Sequence, residues 1–247
     1  MSSAAIARLQ QAAAASFVAA ATLSAGATDC GSDALGTARV LELAHEYAAY
    51  GRVQHAGLPL APGEVVLTFD DGPRPESTPL VLKALEAECV RASFFMVGES
   101  MLAHPGLAKE VRAQGHSVGL HGFQHLFFSK QPEDQQLADL QRVEQGYAQV
   151  FGVRAPAYRF PFLDETPFLR GALAAGGYTV MSVDLGVEDW EPQTTQQMLD
   201  KLVQRLADSN GGIVLLHDTQ DRTAAALPQM LRALKEHGYR VVHLEWK

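Results

Sequence analysis

Nine ionisable side chains fall at or just beyond the ends of apolar, β-favouring runs: Asp70 and Asp71 in "VVLTFDDGP", His121 and His125 in "HGFQH", Arg159 in "YRFPF", Asp184, Asp189 in "EDWEP", and His217 and Asp218 in "IVLLHD". Two histidines and a carboxylate form a familiar ligand set for Zn²⁺ or a similar divalent ion. Three protein ligands leave coordination positions open for water and substrate, as a catalytic metal needs. The i, i+4 spacing of His121 and His125 places both imidazoles on one side of a helical turn. Adjacent aspartates at a strand end cannot do the same job, because successive strand residues point to opposite sides. One can face a cation and the other the space beside it, with Gly72 and Pro73 turning the chain away. Arg159 offers a permanent cation to hold a carboxylate ionised. His217 suits a general acid if a carboxylate keeps it protonated, and Asp189 sits beside Trp190.

These residues need a scaffold that brings strand ends together. Apolar, β-favouring runs occur at 65–69, 92–97, 116–120, 156–160, 178–183, 213–216 and 240–245. Helical spacing occupies 77–88, 106–114, 133–150, 165–175, 194–208 and 223–236. Ser77 and Thr194 read as N-caps, and Gly115, Gly152, Gly176 and Gly238 as C-terminal glycines. Strands alternating with helices predict parallel βαβ units. Such strands open their C-terminal ends onto one face, where sites are built. The repeating part is shorter than an eight-fold barrel of about 250 residues. A distorted seven-stranded (β/α) barrel, TIM-barrel-like and incompletely closed, is therefore expected over 64–247. Residues 28–63 read as an extended lead-in, with "RVLELA" as a short extra strand.

The chain has 247 residues, 47% of them hydrophobic, and a formal net charge of −8. That is enough for one sizeable core, lacks the basic stripe of a nucleic-acid binder, and contains no run long enough for a spanning helix. The Ala-rich start, with Arg8, an apolar stretch 12–23 and Ala25-Gly26-Ala27, fits a signal peptide over 1–27. The chain is then exported to the periplasm or the medium if that segment is cleaved, and cytoplasmic otherwise. Cys30 and Cys89 would make one bridge in an exported protein; the reading preferred here is two unrelated small apolar residues. His45, His55, His104, His116, His237 and His243 read as ordinary core or surface groups.

Taken together and in order, "TFDDGP", "HGFQH", "RFPF", "EDW" and "LLHD" resemble the motifs of carbohydrate esterase family 4, the polysaccharide deacetylases with a nodulation-type deacetylase domain. The resemblance implies Asp70 as catalytic base and Asp71, His121 and His125 as the triad for one divalent metal ion, Zn²⁺ first, with Co²⁺, Ni²⁺ or Mn²⁺ as alternatives. It implies Arg159 as the residue orienting the base, the Phe162 N–H as an oxyanion donor, His217 as the acid and Asp189 as its partner. Trp190 and Leu215 would line the pocket for the acetyl methyl. The implied reaction removes N-acetyl groups from an N-acetylglucosamine-containing glycan, chitin-like or peptidoglycan, and releases acetate. An O-acetyl ester or non-sugar amide substrate, or an inactive glycan-binding relative, are the alternatives. Gly122 stands where the family motif has Ser or Thr, which removes a supporting hydrogen bond. Asp189 lies further from Asp184 than the motif's usual spacing.

Overall fold

A computed structural model describes residues 30–247; the expected leader over 1–27 lies outside the described residues. The seven predicted strands appear as β3 (Glu64–Asp70), β4 (Ser93–Met96), β5 (Ser117–Leu120), β6 (Ala157–Tyr158), β7 (Thr179–Met181), β9 (Gly211–His217) and β10 (Arg240–Trp246). Three more join them: β1 (Thr37–Leu43), which includes "RVLEL", β2 (Ala48–Tyr50) and β8 (Leu185–Gly186). The predicted helices are α1 (Thr78–Ala87), α3 (Pro105–Ala113), α4 (Glu133–Phe151), α5 (Pro167–Ala175), α6 (Thr195–Ser209) and α7 (Asp221–Glu236). The six-residue α2 (Gly98–Ala103) is additional, too short for its spacing to register.

All strand pairs are parallel. Around the ring, β3 pairs with β4, then β5, β6 and β7 follow, while β8 pairs with β9 and β9 returns to β3. The ring is open between β7 and β8, and β2 adds to β7 there. The seventh stave is thus the two-residue β8 rather than 240–245. Strand β10 instead pairs with β1 and only the first two residues of β3. It then crosses beneath the barrel, where the Ser117 hydroxyl donates to Leu244 O (2.6 Å) and the Trp246 indole donates to Thr179 Oγ1 (2.9 Å).

Alternation along β3 explains the layers. Val65, Leu67 and Phe69 face the helices in one large apolar cluster. Val66 points inward with Phe95, Ala157, Met181 and Ile213, and Val242 and Leu244 of β10 close the floor. Asp70 shares the inward parity of Val66 and Thr68. Thr194 caps α6 in a full capping box with Gln197. Gly152 ends α4 in the left-handed conformation, whereas after α5 that conformation falls on Gly177, not Gly176. Ser77 occupies its N-cap position without making the side-chain bond.

Cys30 and Cys89 form a disulfide, correcting the reading of two unrelated residues. Their 59-residue separation hid a Cα–Cα distance of 5.9 Å, created when the segment before β1 runs back to the end of α1, where Gly36 N–H donates to Glu88 O. Closing a loop of that length is worth about 2–4 kcal/mol. Cys89→Ser is expected to lower the unfolding free energy by about that amount in a urea titration, and peptide mapping of the wild type without reductant should recover the 30–89 linked pair.

Candidate active site

The site begins inside the barrel, with Arg159 just after β6. It is completely buried, and each of its three nitrogens donates to a fixed acceptor. Nη1–H groups reach Asp70 Oδ1 (2.7 Å) and Thr68 Oγ1 (2.8 Å), Nε–H reaches Met181 O (3.0 Å), and Nη2–H reaches Ser182 O (3.1 Å). The guanidinium lies 4.2 Å from the centroid of Phe95. Removing one member of such a buried pair costs about 3–5 kcal/mol, because the other charge is left uncompensated. Asp70 is therefore held by one oxygen, and its Oδ2 lies 3.7 Å from His121 Nε2.

Asp71, His121 and His125 converge above this pair. His121 Nδ1 lies 2.9 Å from Arg159 O, and a carbonyl can only accept, so the proton sits on Nδ1 and the Nε2 lone pair is free. Asp71 Oδ1 lies 3.4 Å from that Nε2 and 3.1 Å from His125 Nε2, yet it is buried and makes no hydrogen bond. Two ligand atoms bound to one tetrahedral Zn²⁺ sit about 3.3 Å apart. The three donor atoms all lie within 4.8 Å of one another, so the spacing, the orphaned oxygen and the donor chemistry fit a divalent cation.

"HGFQH" is not helical, contrary to the expectation from its spacing. Gly122 and His125 both have positive φ (69° and 55°), and this irregular loop brings the imidazoles together. Asp139 of α4 supports it by accepting the N–H groups of Phe123 (2.7 Å) and Gln124 (3.1 Å). The support thus comes through the backbone. A Cβ at 122 would press on Pro161 and Asp139 at 3.2 and 3.3 Å.

Across the pocket, His217 ends β9. Its Nδ1 lies 2.8 Å from Asp189 Oδ1, and its backbone N–H donates to Asp189 Oδ2 (2.7 Å). The Thr223 hydroxyl also donates to Oδ2 (2.5 Å). Burial alone would lower the His217 imidazole; Asp189, helped by Asp70 and Asp71, lifts it to about 9. Asp184 faces away, accepting the N–H of Arg52 and of Ile213 (2.9 Å). Asp218 is also buried elsewhere, beside Gly72, where it accepts the Thr78 hydroxyl (2.5 Å); burial lifts its carboxyl to about 7.

The third wall is the turn Pro161–Leu163, where Phe162 and Leu163 are both left-handed (φ 57° and 56°). That conformation costs roughly 1–2 kcal/mol per residue. Phe127 offsets part of it, stacking on Phe162 with ring centroids 3.7 Å apart and planes 5° apart, worth about 0.5–1.5 kcal/mol. Phe162 and Trp190 are 51% and 47% exposed, and Trp190 packs edge-on against His217. With Leu215 they border a cavity of about 420 Å³ that also contains Asp70, Asp71, His121, His125 and His217. Arg159 and Asp189 stand behind that lining. All ten predicted site residues therefore meet at one end of the barrel. The residues that the sequence reading missed are Thr68, Asp139, Ser182 and Thr223 behind the site and Phe127 beside it. Only Thr68 had a signal, sharing the inward parity of Asp70.

The polysaccharide deacetylase family model matches residues 58–181. A chitin deacetylase of Colletotrichum lindemuthianum is 32% identical over 193 residues, covering 73% of this chain and 77% of that protein. Peptidoglycan-N-acetylglucosamine deacetylase PgdA of Listeria monocytogenes is 30% identical over 181 residues; the match covers 73% of this chain but 38% of that longer protein. The structure of a Bdellovibrio bacteriovorus peptidoglycan deacetylase superposes with a TM-score of 0.76 at 31% identity, covering 84% of this chain and 58% of that one. With motifs, barrel and matches in agreement, the chain belongs to the polysaccharide deacetylase family, carbohydrate esterase family 4.

Proposed function

We propose that this chain is a metal-dependent hydrolase that removes N-acetyl groups from N-acetylglucosamine units of a chitin-like or peptidoglycan glycan. The observation that carries the reading is the apposition, in one cavity, of a cation-ready triad with the Asp70 carboxylate on one side and the Asp189-paired imidazole of His217 on the other. Asp71, His121 and His125 would hold a divalent cation, for which Zn²⁺ is the first choice. Such a cation supplies Lewis acidity toward an acyl oxygen and makes water a better nucleophile at neutral pH.

The chain's own groups then divide the proton work. Asp70 Oδ2 accepts the proton of the attacking water, while Arg159 fixes the carboxylate through Oδ1. The Phe162 N–H is the donor assigned to the oxygen that gains negative charge. His217 delivers a proton to the departing amine, and Asp189 holds its ring in place. Trp190 and Leu215 form the apolar wall suited to a methyl group. Export fits the Cys30–Cys89 bridge, because disulfides form and persist in oxidising compartments. Among the described residues, no helix is long and apolar enough to cross a membrane.

Three outcomes test this. Acetate release from N-acetylglucosamine oligomers and from peptidoglycan fragments should disappear on chelation and return with added Zn²⁺; release that survives complete metal removal rejects the reading. Asp70→Asn should keep its bound metal yet lose about 10²–10⁴-fold in turnover; loss of metal with activity would show that the two aspartates have been exchanged. The rate should fall as pH rises through about 9, where His217 gives up its proton. Asp189→Asn removes the charge that counters burial, so that alkaline limb should move to lower pH; an unmoved limb takes the acid role away from His217.

A further inference from the structure

We infer that the segment after β2, which precedes the region matched by the family model, is a working part of the active site, with Gln54 as a positioning residue for the reaction. The inference rests on the function proposed above. The ring is open between β7 and β8, and β2 with the residues after it occupies that opening. Ser182 N–H donates to Tyr50 O (2.7 Å), and Val53 N–H donates to Val183 O (3.0 Å). Gly51 (φ 111°) lies so close to Ser182 that a Cβ would overlap its backbone, so the approach requires glycine there. Arg52 pins the segment on one side, its guanidinium donating to Gly211 O (2.6 Å) and Ser209 O (3.1 Å). His55 pins it on the other, 2.7 Å from Glu165 Oε1.

Gln54 stands between these anchors and joins two catalytic supports. Its Nε2–H donates to Leu163 O (2.8 Å), the second left-handed residue of the turn that carries the Phe162 N–H. Its Oε1 accepts the Ser182 hydroxyl (2.7 Å), and Ser182 O in turn accepts Arg159 Nη2–H (3.1 Å). The amide orientation is unambiguous, since Leu163 O can only accept. One side chain thus links the oxyanion turn to the strand end that aims Arg159 at Asp70. Gln54 does not line the catalytic cavity, so its effect passes through those two contacts and belongs to turnover, not to substrate affinity.

The test uses the full chain as wild type, Gln54→Met and Gln54→Glu, each measured for kcat and KM on an N-acetylglucosamine tetramer, for bound zinc and for melting temperature. Gln54→Met keeps the shape without either bond and should lower kcat about 5- to 30-fold, the worth of one to two hydrogen bonds, with KM and zinc content unchanged. Gln54→Glu keeps the Ser182 contact but turns a carboxylate toward Leu163 O, and should also lose turnover. A wild-type kcat in Gln54→Met, even with a lowered melting temperature, overturns the inference and leaves the segment a plug. A rise in KM alone also overturns it, making Gln54 a substrate contact. A wild type that releases no acetate removes the underlying function itself, a result distinct from equal turnover in wild type and variant.

Discussion

The guanidinium of Arg159 has no exposed surface, and its only ionic partner among the described residues is Asp70. A charge buried this deeply is tolerated only where every donor is matched and a counter-charge is close. That requirement organises the barrel mouth. Thr68 and Asp70 must lie on the inward face of β3, Met181 and Ser182 must turn their carbonyls toward the centre, and the Phe95 ring must stand beside the guanidinium. Burial lowers the arginine's pKa, and Asp70 offsets only part of that. The backbone of the same residue accepts His121 Nδ1–H, so the constraint that fixes Asp70 also fixes the tautomer of a metal-competent imidazole.

Much of this was legible in the sequence because it depends on period and register. A run of apolar residues ending in two aspartates gives β3, and a period of two gives each aspartate a different side. Polar residues at strand ends gather on one face once all strands are parallel. The illegible parts lack a period. The loop 121–125 reads as a helical turn by its spacing, but left-handed Gly122 and His125 and the distant Asp139 give it another shape. The disulfide depends on where the segment before β1 lies, and nothing in the sequence between the two cysteines announces that. Strand β8 has two residues, below any window in which alternation can be counted.

Backbone conformation that bulky side chains disfavour is concentrated at the site. Asp71, His125, Phe162 and Leu163 all have φ between 55° and 79°. Each is a place where the chain leaves an element and must turn a functional group back over the barrel mouth. Regular structure supplies compensation: β3 and β5 are buried in the ring, Phe127 stacks on Phe162, and Asp139 holds two amides from α4. Strain of this kind survives only where the surroundings over-determine it. The residues doing so are far apart in sequence, which is why the reading of the sequence found the side chains that meet at the barrel mouth and missed most of their supports.

Asp70 and His217 are register partners on adjacent parallel strands, β3 and β9. Neighbouring strands lie about 4.8 Å apart, so a carboxylate and an imidazole rise side by side from one strand pair, without any loop between them. Their environments then separate them. Asp70 is gripped by a guanidinium, whereas His217 is gripped by the Asp189 carboxylate through both ring and backbone. Asp71, one residue on, has left the strand with φ 79° and faces the two imidazoles instead. Two identical side chains in succession thus acquire different chemistry, because one is still in the sheet and the other is not.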